Sequence, residues 1–274
     1  MRFVSLASLA ALSCAVGAAA QTAPQTSNFA SVGFDVATGD HDAFQGSVLD
    51  LAKDCTPIRL DKDDVVCLRQ KDNGGQIWIG LRRTGETYEF ITANPAYIGK
   101  SAFPVRVQGL EYDPSWEPFE YRLAVTFSEY DIPVLIELAD PREAERFRDL
   151  AEPVDLTLDV TAFTFNPEIF ETEEDFAKAQ RKLGEDVAYT SNYFIPSGLF
   201  GNQTSSRATF GGEILEAERV RTQDGASHWR TLVRVQGGGT VNVVFDDIWP
   251  DLKPKPGHLI SGAFWLSAQV PAEG

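Results

Sequence analysis

The chain is short of the residues that most often carry chemistry. It holds 3 His, 3 Cys and 1 Met in 274 residues. The histidines, His41, His228 and His258, stand far apart, so neither His-Glu-x-x-His nor any paired-histidine zinc spacing occurs. His228 after a turn and His258 after Gly257 read as surface loop residues. Neither a Gly-x-Ser-x-Gly elbow nor a Ser-x-x-Lys pair is present, which removes two common signatures of serine hydrolases. Basic residues are scarce as well: 24 Lys and Arg stand against 40 Asp and Glu, a net charge of −16. Such a surface repels phosphate backbones and anionic lipids, so nucleic acid is not an expected partner. Beyond the first twenty residues no apolar run approaches the roughly 20 needed to cross a bilayer, and no transmembrane segment is expected.

Two partial motifs also fall short. Asn94 to Ser101 ends in Gly-Lys-Ser like a P-loop, but Asn94 stands where the first glycine belongs and Pro95 follows it, so the match reads as chance. Asp35, Asp40 and Asp42 surround a glycine but lack the spacing and distal Glu of a calcium loop, and they read as helix-capping residues. No metal, cofactor or catalytic residue is expected on these grounds.

What the chain does have begins at its start. Arg2, an apolar run from Phe3 to Leu12, and Ala18-Ala19-Ala20 make residues 1–20 a secretory signal peptide with cleavage near Ala20. The protein is therefore expected in the periplasm or outside the cell. Leu12-Ser13-Cys14 loosely resembles a lipoprotein site, but Ala11 stands where a larger aliphatic is usual, so ordinary cleavage is favoured over lipidation of Cys14. Export leaves Cys55 and Cys67 in an oxidising compartment, where they are expected to form a disulfide. Closing so short a loop stabilises a fold by about 3 kcal/mol.

The mature chain reads as mainly β (α+β). Residues 21–33 are polar and read as a flexible leader. Residues 34–110 form an α+β segment: a helix over 40–53 capped by Asp40 or Asp42, strands around Asp61 to Asp64, and a hairpin over 76–94 with Thr84-Gly85-Glu86 at its turn. Residues 111–184 form a β-rich module with two short helices. One starts at Asp140-Pro141, the other at Thr172 with a capping box to Asp175. Residues 185–211 read as a long loop and 212–270 as strands separated by glycine turns.

The strand order over 210–270 resembles an OB-fold barrel. The residues that carry the likeness are Gly212 to Ala217, Trp229 to Val235, Thr240 to Phe245 and Pro256 to Leu266. Residues 119–165 repeat a similar order less clearly. The resemblance is to an architecture and not to a specific family. It implies tandem small antiparallel barrel-like modules, and it suggests oligonucleotide or oligosaccharide ligands. The acidic charge counts against the first.

The remaining handles are aromatic and acidic. Trp249 stands beside Asp246 and Asp247, Trp229 follows a turn, and Trp116 sits between prolines. These five are the candidate ligand-binding residues, because a tryptophan beside carboxylates can stack on a sugar ring or a partner side chain. The leading expectation is an exported, non-enzymatic binding or adaptor protein of the cell envelope that engages a protein or a glycan. The competing expectations are a carbohydrate-acting hydrolase using two carboxylates, favoured if an acidic pair shares a concave pocket with a tryptophan, and a structural subunit of an envelope assembly.

Overall fold

A computed structural model of the chain describes residues 27–37, 40–55, 57–127, 131–164, 167–181, 190–199, 205–222, 225–248 and 252–271. The expected signal peptide with Cys14, residues 21–26 and Trp249 lie outside the described residues. Two sheets hold nearly all the regular structure. The first contains β1 (Pro57–Arg59), β2 (Asp64–Gln70), β3 (Gly75–Thr84) and β4 (Thr87–Tyr97), antiparallel throughout and paired in that order. The expected hairpin is β3–β4, with Thr84 opposite Thr87 across the turn.

The second sheet contains β5 (Phe103–Glu111), β6 (Arg122–Phe127), β7 (Pro133–Leu138), β8 (Val154–Thr164), β9 (Glu168–Phe170), β10 (Tyr193–Pro196), β11 (Arg207–Arg221), β12 (Ser227–Val235), β13 (Thr240–Asp246) and β14 (Leu259–Gln269). Eight of these close into a barrel in the order β11-β12-β13-β8-β5-β6-β7-β14, with β14 pairing back onto β11. Direct pairing of β8 with β14 divides the ring into two five-stranded circuits that share those two strands. The middle and C-terminal strand sets are thus joined edge to edge by two parallel pairs, β13–β8 and β14–β7. The mainly β, barrel-like body expected from the alternating strands is what the chain builds.

Closure follows from period-two alternation. Leu123, Val125, Ile136, Leu158, Val160, Phe210, Val233, Val243, Phe264 and Leu266 all turn inward and are buried. Phe210 stacks on Phe264 with ring centroids 4.0 Å apart, and Phe194 stacks on Phe210 at 5.5 Å. Each fully buried ring of this kind stabilises the fold by about 2–3 kcal/mol. The segment 185–211, read as loop, contains β10 and the first residues of β11. Phe194 goes into the core there, an alternation hidden among Gly, Asn and Ser.

The four-stranded sheet lies on the outer wall of the barrel. Ile77, Ile79 and Tyr97 share a core with Phe163 of β8 and Val244 of β13. Helix α1 (His41–Ala52) covers it, starting where Asp40 accepts the Asp42 N–H at 3.4 Å, as expected of a cap. The Cys55–Cys67 disulfide ties the end of α1 to β2 across a Cα–Cα distance of 5.8 Å. Residues 27–33, read as part of a flexible leader, make a 3-10 turn over Ala30–Val32 that buries Val32 in the same core. Helix α2 (Glu173–Arg181) starts at Thr172, which bonds the Asp175 N–H at 3.1 Å. The Asp140 start is a 3-10 turn over Pro141–Arg146, with Asp140 accepting the Arg142 N–H.

The P-loop-like segment is structural. Its amides are already committed: Gly99 N–H and Ser101 N–H donate to Asp159, and Lys100 N–H donates to Asn242. No room for a side chain exists at Gly99, where a Cβ would meet Asn242 at 2.2 Å.

Candidate functional site

A cleft of about 790 Å³ opens on the barrel's outer face, where the loop after β5 and the turn between β10 and β11 meet it. Asp113, Trp116, Glu120, Arg122, Glu137 and Trp265 line it, joined by Ser197, Ser205, Ser206 and Arg207. Sheet register explains this gathering. The residues that alternate with Leu123, Ile136 and Leu266 face outward, so Arg122 of β6 stands opposite Glu137 of β7, and Glu137 opposite Ser267 of β14. Farther along the same face, Trp265 of β14 stands opposite Arg207 of β11. Trp265 is half-buried and leans on Phe163 at 5.0 Å between centroids, which fixes it as a wall.

The opposing side is the 112–120 loop, which is held from several directions. Asp113 accepts from the Ser115 amide and hydroxyl at 2.9 and 2.7 Å, and the Trp116 carbonyl accepts the Phe119 N–H. Arg148 donates to Glu117 and to the Tyr121 hydroxyl, both at 3.0 Å, while its guanidinium lies 5.4 Å from the Tyr112 and Tyr121 rings. From the other sheet, Arg82 grips Asp64 and donates to the Glu117 carbonyl at 3.2 Å. Phe119 is buried against Gly80 of β3, where a Cβ would stand only 2.6 Å from its ring. This anchoring leaves Trp116, 43 % exposed, as a preset platform at the rim.

The two central carboxylates live in different surroundings. Glu120 sits at the junction with the four-stranded sheet, and its Oε1 accepts from the Thr92 hydroxyl at 2.6 Å and the Asn94 amide at 3.5 Å. Glu137 accepts the Ser206 hydroxyl at 3.2 Å. Burial pushes the Glu137 carboxyl up to about 7, and the nearby charge of Glu120 adds to the push. The Ser206 hydrogen bond and Arg122 oppose that rise without cancelling it. One carboxyl is thus poised near neutral pH in the same cleft as another whose Oε1 accepts two hydrogen bonds, an arrangement suited to moving a proton.

Of the candidates taken from sequence, the cleft contains Trp116. Asp246, Asp247 and Trp229 form a separate group at the ends of β12 and β13. Asp246 is buried, and burial raises its pKa although the Ser27 and Ile248 amides bond it. Asp247 is partly buried, but Ser227 at 2.7 Å and Arg219 outweigh that burial and lower its pKa, with the Trp229 indole contributing. Trp229 packs on the barrel core. All three lie away from the cleft, and the Oδ1 of Asp246 is buried without a hydrogen-bond partner among the described residues.

His228 is not a surface residue: it is fully buried on β12, and neither ring nitrogen has a hydrogen-bond partner. Burial, with Lys71 and Arg230 nearby, lowers its pKa to about 4, so the ring is neutral. The residues missed were Glu120, Arg122, Glu137, Ser206 and Trp265. One signal was visible: Glu137 is the only charge in the apolar run from Ile132 to Leu138, and a lone acid in a buried strand calls for a partner or a task. Compared with protein-family models, with curated proteins and with solved structures, the chain matches none.

Proposed function

We propose that the protein is an exported binding protein of the cell envelope and that the cleft between Trp116 and Trp265 takes a glycan. The observation that carries this reading is the pairing of a preset, exposed tryptophan with convergent polar groups in one concavity. Sugar rings present an apolar face for stacking and hydroxyls that need both donors and acceptors. The cleft offers carboxylates as acceptors, arginines as donors, and serines as either. The signal-like leader and the Cys55–Cys67 bridge support an extracytoplasmic setting.

An adaptor surface for another protein is the rival reading, and it predicts a dry, apolar patch with one or two large anchors. The lining here is mostly polar, which favours the glycan. The test is retention of the mature chain on an array of bacterial and plant oligosaccharides, compared with Trp116→Ala. Retention on at least one glycan class, weakened about tenfold or more in the variant, supports the proposal. No retention, or equal retention of both proteins, contradicts it.

A further inference from the structure

We infer that the cleft also cleaves the glycan it binds, with Glu137 as the proton donor and Glu120 as the base. The inference rests on the glycan reading and adds a reaction to it. Both carboxylates line one cleft with two tryptophans, and their hydrogen-bond surroundings differ: Ser206 on Glu137, Thr92 and Asn94 on Glu120. Glu137 rises from the floor, on β7, with Ser206 on its Oε2 and Arg122 opposite. Glu120 stands on the edge formed by the 112–120 loop, where Thr92 and Asn94 both bond its Oε1. Neither of these two bonds uses its Oε2, the oxygen assigned to the water. The raised pKa of Glu137 keeps a substantial fraction protonated at neutral pH.

The step balances without any further reactant. The Glu137 carboxyl passes its proton to the glycosidic oxygen as the bond from that oxygen to the anomeric carbon breaks. A water oxygen forms the new bond to the anomeric carbon while Glu120 takes one of its protons. Water is added across the linkage, and the two carboxyls return to their starting states by proton exchange with solvent. Trp116 would stack on a ring beside the scissile bond and hold it across the two groups.

The experiment has two readouts on the same samples. Tryptophan fluorescence is titrated with chitohexaose, cellohexaose, a xylo-oligosaccharide and solubilised peptidoglycan, and new reducing ends are then measured after incubation with each. Wild type, Glu137→Gln and Glu120→Gln are compared, with thermal melts to confirm folding. The expected result is that a glycan quenching the fluorescence is also cut. Both variants should bind it within about threefold of wild type, yet cut it about 100-fold or more slowly. Quenching without reducing ends overturns the cleavage inference and leaves the binding reading standing. Cutting that survives Glu137→Gln overturns the assignment of the donor. An absence of quenching by every probe overturns both.

Discussion

The Ser206 hydroxyl donates to the Glu137 carboxylate at 3.2 Å, although 69 residues separate them in sequence. The contact exists because β14 brings together the end of β7 and the start of β11, with the Leu266 N–H donating to the Ser206 carbonyl at 2.7 Å. Barrel closure therefore builds the floor of the cleft. The same burial that shapes this floor disfavours the charged form of Glu137.

That cost gives a pH-dependent stability of known sign. The folded pKa of Glu137 is raised from 4.5 to about 7, so the fold binds the proton more tightly than the unfolded chain. Its contribution is fully present below about pH 4.5 and is lost as pH rises through 7. Glu137→Gln should remove that loss and be more stable than wild type above pH 7, by on the order of 1–3 kcal/mol. Urea denaturation at pH 5 and pH 8 checks this.

His228 predicts the opposite slope. Its folded pKa is lowered to about 4 from 6.5, so the unfolded chain takes up the proton first as the solution is acidified. Stability from this group is present above about pH 6.5 and falls away toward pH 4. His228→Phe keeps the ring volume and removes two unpartnered buried nitrogens. It should be neutral or mildly stabilising at pH 7.5 and clearly stabilising at pH 5, read from denaturation midpoints.

Trp116→Ala separates binding from folding. The side chain is 43 % exposed, so the melting temperature should change little, within about 0.5 kcal/mol of stability. Glycan affinity should fall about tenfold or more, by titration calorimetry on the glycan retained by the array.

Gly80→Val tests the support behind that platform. A side chain on β3 at this point meets the Phe119 ring and the Thr92 methyl, which must both give way. The expected cost is about 1–3 kcal/mol. Faster hydrogen exchange over 112–120 and weaker glycan binding should accompany it. A destabilised protein with unchanged exchange in that loop would show that Phe119 does not hold it.

Much of the fold was legible locally. Alternation marks β3, β6 and β8, Asp40 and Thr172 mark helix starts, and the count of cysteines gives the Cys55–Cys67 bridge. Trp116, singled out in the sequence between two prolines, lines the cleft. The partnership of Glu137 with Glu120 and Ser206 was not, because it depends on pairings between strands distant in sequence. Asp246 and Asp247, adjacent in sequence, do not share one environment and do not line the cleft. Their place at the end of β13 turns one into the protein and gives the other to Arg219.

The most direct test of the account is array retention of residues 21–274 beside the same segment carrying Trp116→Ala, both confirmed as folded. The account predicts that wild type is held by at least one class of oligosaccharide and that the variant is largely released. A chain that ignores every glycan, or that binds equally well without the indole, contradicts it.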